Sequence, residues 1–168
     1  MYYIFSYGSN NSEQLRKRIE IYNEEPLSSE IAPAYVDNYT RIFAGYSSLW
    51  DGAVASIYPC PSDRIYGTLR PITQSQLERL DNYEGGYKRK IINVVNELTH
   101  QIIQAFVYII NNPTFREFPS NKYMEAILTQ LHETSRIHKN TILIRALNEH
   151  GDVIVLGKWN KQYGLIRL

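Results

Sequence analysis

The chain has 168 residues, a net charge of +1, 43% hydrophobic residues and 21% charged ones. These values fit one soluble globular domain large enough for a proper core, and they offer no basic stripe for nucleic acid. No apolar run reaches the ~18 residues that a membrane crossing takes, and no basic-then-apolar leader opens the chain. A single cysteine, Cys60, excludes an internal disulfide framework, so the cytoplasm is the expected compartment.

Taken in order, residues 2–6 read as a short buried strand. Tyr7-Gly8-Ser9-Asn10 follow, and a helix is expected from Ser12 to Tyr22, with Leu15, Ile19 and Tyr22 on one face and Asn11/Gln14 as a capping box. Residues 35–44 alternate as a half-buried strand. Ala53–Tyr58 and Arg64–Leu69 read as two strands joined at a hairpin turn, Pro59-Cys60-Pro61-Ser62-Asp63. A second helix spans Thr73 to Tyr83, capped by Thr73 and Gln76, buried through Leu77 and Leu80, and ended by Gly85-Gly86. Ile91–Leu98 and Ile102–Ile110 form an antiparallel pair. A third helix runs from about Asn121 to Arg136, and Thr141–Leu147 with Asp152–Leu156 make a terminal hairpin. No repeat or linker interrupts this order. Strands and helices are interspersed with hairpin-length links, which favours an α+β fold with a mixed or barrel-like sheet.

Two segments carry candidate chemistry. A strand that ends in small residues and opens a helix aims backbone N–H groups at one spot, beside the positive end of the helix dipole. Gly8 permits close approach, and Ser9 and Asn10 add donors without bulk. Such a loop can hold a carboxylate, a phosphate or a developing oxyanion; its bland alternative is an idle turn. The second segment centres on Glu84, seven residues after Leu77 and four after Leu80. If the helix continues that far, its carboxylate faces inward with those leucines. The helix C-terminus and partial burial would both raise its pKa, as general acid–base work near neutrality requires. The alternative is a solvated glutamate in a frayed turn.

Phe5-Ser6-Tyr7-Gly8-Ser9-Asn10, then Leu80-Asp81 with Glu84-Gly85 and Tyr87, then Phe118-Pro119-Ser120 with Tyr123, occur in an order that resembles the gamma-glutamylcyclotransferase family. Gly52-Ala53-Val54-Ala55 and Ile65-Tyr66-Gly67 extend the resemblance, which covers about residues 1–135. It implies a small mixed β-barrel-like sheet with flanking helices and no cofactor. The implied reaction releases 5-oxoproline from a gamma-glutamyl compound by attack of the α-amine on the γ-carbonyl. By the same resemblance Glu84 is the catalytic acid and base. Phe5, Ser6, Tyr7, Gly8, Ser9 and Asn10 hold the glutamyl group, and Tyr87 and Tyr123 line the site. The implied partner is a small gamma-glutamyl molecule, with no nucleic acid and no membrane; a homodimer is left open.

The chain departs from the family in three places. Only Gly85-Gly86 separates Glu84 from Tyr87, where several relatives carry a longer insertion. Residues 139–168 have no counterpart, so the family-like domain is drawn at 1–138 with a C-terminal extension, a β-hairpin packed on the same domain, at 139–168. Tyr66-Gly67-Thr68-Leu69 imitates the loop of a branch acting on gamma-glutamylamines, but its place before Pro71 makes it strand. His100, His132, His138 and His150 show no helical metal-site spacing, and neither a phosphate-binding nor a dinucleotide motif occurs. Cys60 has no sequence-local base. Arg16-Lys17-Arg18 and Lys88-Arg89-Lys90 read as solvated faces, with Arg89 alternatively pairing a carboxylate. Against the enzyme stands one other class, a non-catalytic binding or scaffolding protein that keeps the fold.

Overall fold

The computed structural model describes residues 1–20, 25–134 and 140–168. Five strands close into a barrel in the order β1-β3-β2-β4-β5: β1 (Tyr2–Ser6), β2 (Ala32–Ser47), β3 (Gly52–Ile72), β4 (Tyr87–Asn96) and β5 (Ile102–Ile110). All neighbours are antiparallel except β1 and β5, which meet in parallel at Ile4 and Phe106. The α+β, barrel-like expectation is met. Alternation along β1 sends Phe5 into the barrel interior and Ile4 to the opposite side. There Ile4 packs with Leu15 and Ile19 of α1 (Ser12–Ile19) and Leu77 and Leu80 of α2 (Gln74–Asp81).

The helices start where their caps predict. Asn11 accepts from the Gln14 N–H at 3.0 Å. Thr73 and Gln76 form a complete capping box. α1 ends at Ile19 on an extended Glu20, and Tyr22, expected on its buried face, lies outside the described residues. α3 (Asn121–His132) ends on Glu133, short of the expected Arg136, which is also outside them. Ser120 caps α3 by accepting from the Tyr123 N–H, and Met124, Ile127, Leu128 and Leu131 bury into the barrel core.

The expected hairpin at 59–63 is a correction. Residues 52–72 form one long strand, and both halves pair with β2. The register passes from Asp37↔Arg64 to Tyr39↔Pro59, so residues 60–63 bulge opposite Asn38. Asn38 and Ser62 take left-handed backbone angles, and the Asn38 side chain accepts from the Ser62 N–H at 3.2 Å. The prolines do interrupt the ladder, but a 16-residue partner strand carries the ribbon past the interruption. The true turn of this hairpin lies at residues 48–51.

The C-terminal hairpin is a three-stranded sheet: β6 (Thr141–Leu147), β7 (Val153–Asn160) and β8 (Gly164–Arg167). Ile142, Ile144 and Trp159 join the same apolar cluster as the barrel, so this sheet shares the domain's core.

Candidate active site

The loop between β1 and α1 lies across one mouth of the barrel. Arg41 of β2 fixes its first peptide: Nε and a terminal nitrogen donate to the Tyr7 carbonyl at 3.0 and 2.7 Å. In a trans peptide the next N–H points the opposite way, so anchoring this carbonyl turns the Gly8 N–H toward the cleft. Among the described residues nothing accepts from the N–H groups of Gly8, Ser9 or Asn10. A side chain on Gly8 would meet the Tyr123 hydroxyl at 3.3 Å, so close approach is what this position requires.

Three tyrosine side chains build the inner wall by converging on the backbone of Ala55 in β3. The Tyr123 hydroxyl accepts from the Ala55 N–H at 2.7 Å, and the Tyr87 hydroxyl donates to its carbonyl at 2.7 Å. The Tyr7 hydroxyl lies 3.5 Å from that carbonyl and donates to the carbonyl of Tyr108. Burial holds all three hydroxyls neutral, joined by neighbouring phenols at Tyr7 and Tyr87 and by Glu84 at Tyr123, which is pushed up to about 12. Tyr7 thus contributes its backbone to the loop and its ring to the core.

Glu84 faces this wall, although α2 does not reach it. The helix ends at Asp81, and tighter i→i−3 bonds carry the chain through Asn82 and Tyr83 to Glu84. The inward direction expected for a continuing helix is kept, and the side chain is 8% exposed. A turn then closes from the Tyr87 N–H to the Glu84 carbonyl at 2.9 Å, with Gly86 at φ +84 as its third residue. The two-glycine link therefore brings Tyr87 back beside Glu84.

The Glu84 carboxylate is held through one oxygen. Oε1 accepts from the Asn10 amide at 2.8 Å and from Arg18 at 3.1 Å, and Arg18 also donates to Asn10 Oδ1 at 3.0 Å. Burial raises the pKa of this carboxyl above the ordinary range; Asn10 and Arg18 pull against it, and Asp81 adds to the rise. The solvated reading of the first basic cluster is corrected for Arg18, whose side chain is 11% exposed on Glu84. Arg89 takes its alternative role, pairing with Asp81 at 2.8 Å while the Tyr108 hydroxyl donates to the other Asp81 oxygen.

The cleft enclosed by these groups holds about 380 Å³ of empty space. Phe5, Ser6, Tyr7, Gly8, Ser9, Asn10, Glu84, Tyr87 and Tyr123 all line it. A wider cleft of about 860 Å³ adjoins it, sharing Ser9, Glu84, Tyr87 and Tyr123 and opening toward Trp50 and Tyr83. Among the described residues no group of three or more His, Cys, Asp or Glu side chains could hold a metal.

From the sequence alone Arg41 has no role, Arg18 reads as part of a solvated face and Ala55 figures only in the Gly52-Ala53-Val54-Ala55 resemblance. Arg18 had a signal, since it falls three residues after Leu15 and seven after Asn11, on the buried face of α1. Arg41 and Ala55 act on or through backbone groups, which leave no mark in side-chain identity.

The family model for gamma-glutamyl cyclotransferase, AIG2-like proteins matches residues 4–126. The chain belongs to that family. A human gamma-glutamylcyclotransferase is 31% identical over 85 residues, a match spanning 48% of this chain and 43% of the human protein. A solved gamma-glutamyl cyclotransferase structure superposes with a TM-score of 0.66 at 23% identity, covering 79% of each chain. The solution structure of At5g39720.1 from Arabidopsis thaliana gives a TM-score of 0.54 at 21% identity, covering 80% of this chain and 87% of that one. These superpositions establish the cyclotransferase fold. Strands β6–β8 lie beyond the residues that the family model matches.

Proposed function

We propose that the protein releases 5-oxoproline from a gamma-glutamyl amino acid, peptide or amine. The observation that supports this most directly is the opposition, across one cleft, of three unused loop N–H groups and an inward carboxylate with a raised pKa. The glutamyl α-carboxylate and the γ-carbonyl oxygen are the two acceptors such a loop suits. A 380 Å³ cleft lined by three phenol rings folds the chain back on itself, and effective molarity then supplies much of the rate.

Glu84 Oε2, free of the hydrogen bonds that occupy Oε1, takes a proton from the substrate ammonium. The amine attacks the γ-carbonyl, and the oxyanion gathers charge at the loop N–H groups. As the intermediate collapses, the C–N bond to the leaving amine breaks. Glu84 gives the first proton to the leaving nitrogen as this bond breaks, and the carboxylate so restored takes the second proton from the attacking nitrogen; the departing amine carries that proton off as its ammonium. The leaving group faces the wider cleft toward Trp50 and Tyr83.

Glu84→Gln keeps the size and the hydrogen bonds but removes the base, and is expected to lower 5-oxoproline release by about 10²–10⁴-fold. The assay is best run across gamma-glutamyl dipeptides, glutathione, gamma-glutamyl-lysine and small gamma-glutamylamines, with folding checked by circular dichroism. Undiminished turnover in the variant would remove Glu84 from the reaction. Ligand-induced thermal stabilisation of the wild type without product would replace the enzyme by a binding protein.

A further inference from the structure

A second groove runs between the β2–β3 ribbon and the C-terminal sheet, with about 670 Å³ of empty space. Arg41 of β2, Arg64 and Tyr66 of β3, and Thr141 and Arg145 of β6 line it, with Leu131 and Leu143 as apolar wall; no carboxylate does. Of the three arginines, Arg64 is already neutralised by Asp37 at 2.6 Å and stacks 3.8 Å from the Tyr35 ring centroid. Arg41 has no anionic partner among the described residues; its donors end on the carbonyls of Tyr7 and Tyr66. The Arg145 side chain makes no hydrogen bond or ion pair with any described residue.

The two remaining guanidiniums are near enough to repel. Burial is the main cause that brings the Arg41 pKa down to about 10, and Arg145 adds to it while the phenols of Tyr123 and Tyr7 oppose. At that value Arg41 is charged at neutral pH. Two half-buried cations facing one groove with no carboxylate between them repel each other, and an anion placed between them relieves that repulsion. The Arg145 fork and the Nη1 of Arg41, which neither carbonyl takes, suit a tetrahedral phosphate, whose oxygens can serve both. The groove is larger than a phosphate alone needs, and Leu131 and Leu143 offer apolar surface beside it.

We infer that this groove binds the phosphate group of a small phosphomonoester, seated between Arg41 and Arg145. One wall is β6, so the site belongs to chains that carry the C-terminal sheet, beyond the family-matched residues. Arg41 also holds the Tyr7 carbonyl, so the phosphate and the active-site loop share one guanidinium. Binding here is independent of the reaction proposed above.

Thermal unfolding at constant ionic strength tests it, with chloride replaced stepwise by inorganic phosphate or by phenyl phosphate. Either anion should raise Tm saturably, by about 4 °C at twentyfold above its dissociation constant. Arg145→Gln, which breaks no side-chain hydrogen bond or ion pair among the described residues, should weaken binding by about tenfold or more. Arg116→Gln, an exposed charge elsewhere, should titrate like the wild type. Tighter binding of phenyl phosphate identifies the phosphomonoester as the ligand, and equal binding identifies free phosphate. A Tm unchanged from that in chloride, or an Arg145→Gln titration equal to the wild type's, overturns the assignment.

Discussion

Burial lifts the Glu84 carboxyl, while Arg18 and Asn10 on its Oε1 pull it back down. A carboxyl whose folded pKa is raised binds its proton more tightly folded than unfolded. Its contribution to stability is complete below the unfolded value and is lost as pH rises through the folded one. Urea unfolding between about pH 4 and pH 8 should therefore show the Glu84→Gln protein gaining on the wild type as pH rises; a constant gap would mean no shift. Arg18→Gln leaves the buried carboxylate without its cation. The acid limb of kcat/KM should move to higher pH, and unfolding free energy at neutral pH should fall by about 3 kcal/mol. Equal limbs in the two proteins would show that Arg18 does not tune the base. At this scale motif order picked out Asn10, Glu84, Tyr87 and Tyr123, which line one cleft, and it misjudged Arg18, read as solvated. It was silent at Arg41, whose partner is a carbonyl that any residue could supply.

Element by element, caps and periodicity carried the reading, and long-range pairing limited it. Asn11 and Thr73 start their helices where their side chains dictate, because capping is a bond between near neighbours in the chain. The segment from Pro59 to Asp63 carries the residues of a turn, yet the chain runs on. Whether such a segment turns or bulges depends on the length of β2, some 20 residues away. The glycines separate in the same way. A Cβ on Gly67 would lie 2.2 Å from the Ser6 carbonyl oxygen, where two strands touch through their backbones. Gly67→Ala should cost about 3 kcal/mol or more, or abolish soluble expression. In the turn after Glu84, Gly85→Ala meets open space and should be neutral. Gly86→Ala, at φ +84, should cost about 1–2 kcal/mol. Equal melting temperatures for the Gly85 and Gly86 variants would contradict the turn as described.

Across the whole molecule, the C-terminal sheet shares its apolar cluster with the barrel. Trp159 is 2% exposed, packs in the barrel's cluster and donates its indole N–H to Asn121 at the start of α3 at 2.8 Å. Trp159→Ala should cost about 3–5 kcal/mol in a single cooperative transition; two separate transitions would mark the sheet as an independent unit. Three tyrosines that line the candidate cleft come from the first loop (Tyr7), the start of β4 (Tyr87) and the first turn of α3 (Tyr123). They meet on the backbone of one residue, a main-chain unit made of the N–H and carbonyl of Ala55. Because that unit is main chain, no exchange of one natural side chain for another, proline apart, deletes its N–H. A mutational scan would report position 55 as little more than a size limit. Its part in the wall becomes measurable only by editing the backbone, for instance with lactic acid at position 55, which turns the amide into an ester and takes away the hydrogen that Tyr123 receives.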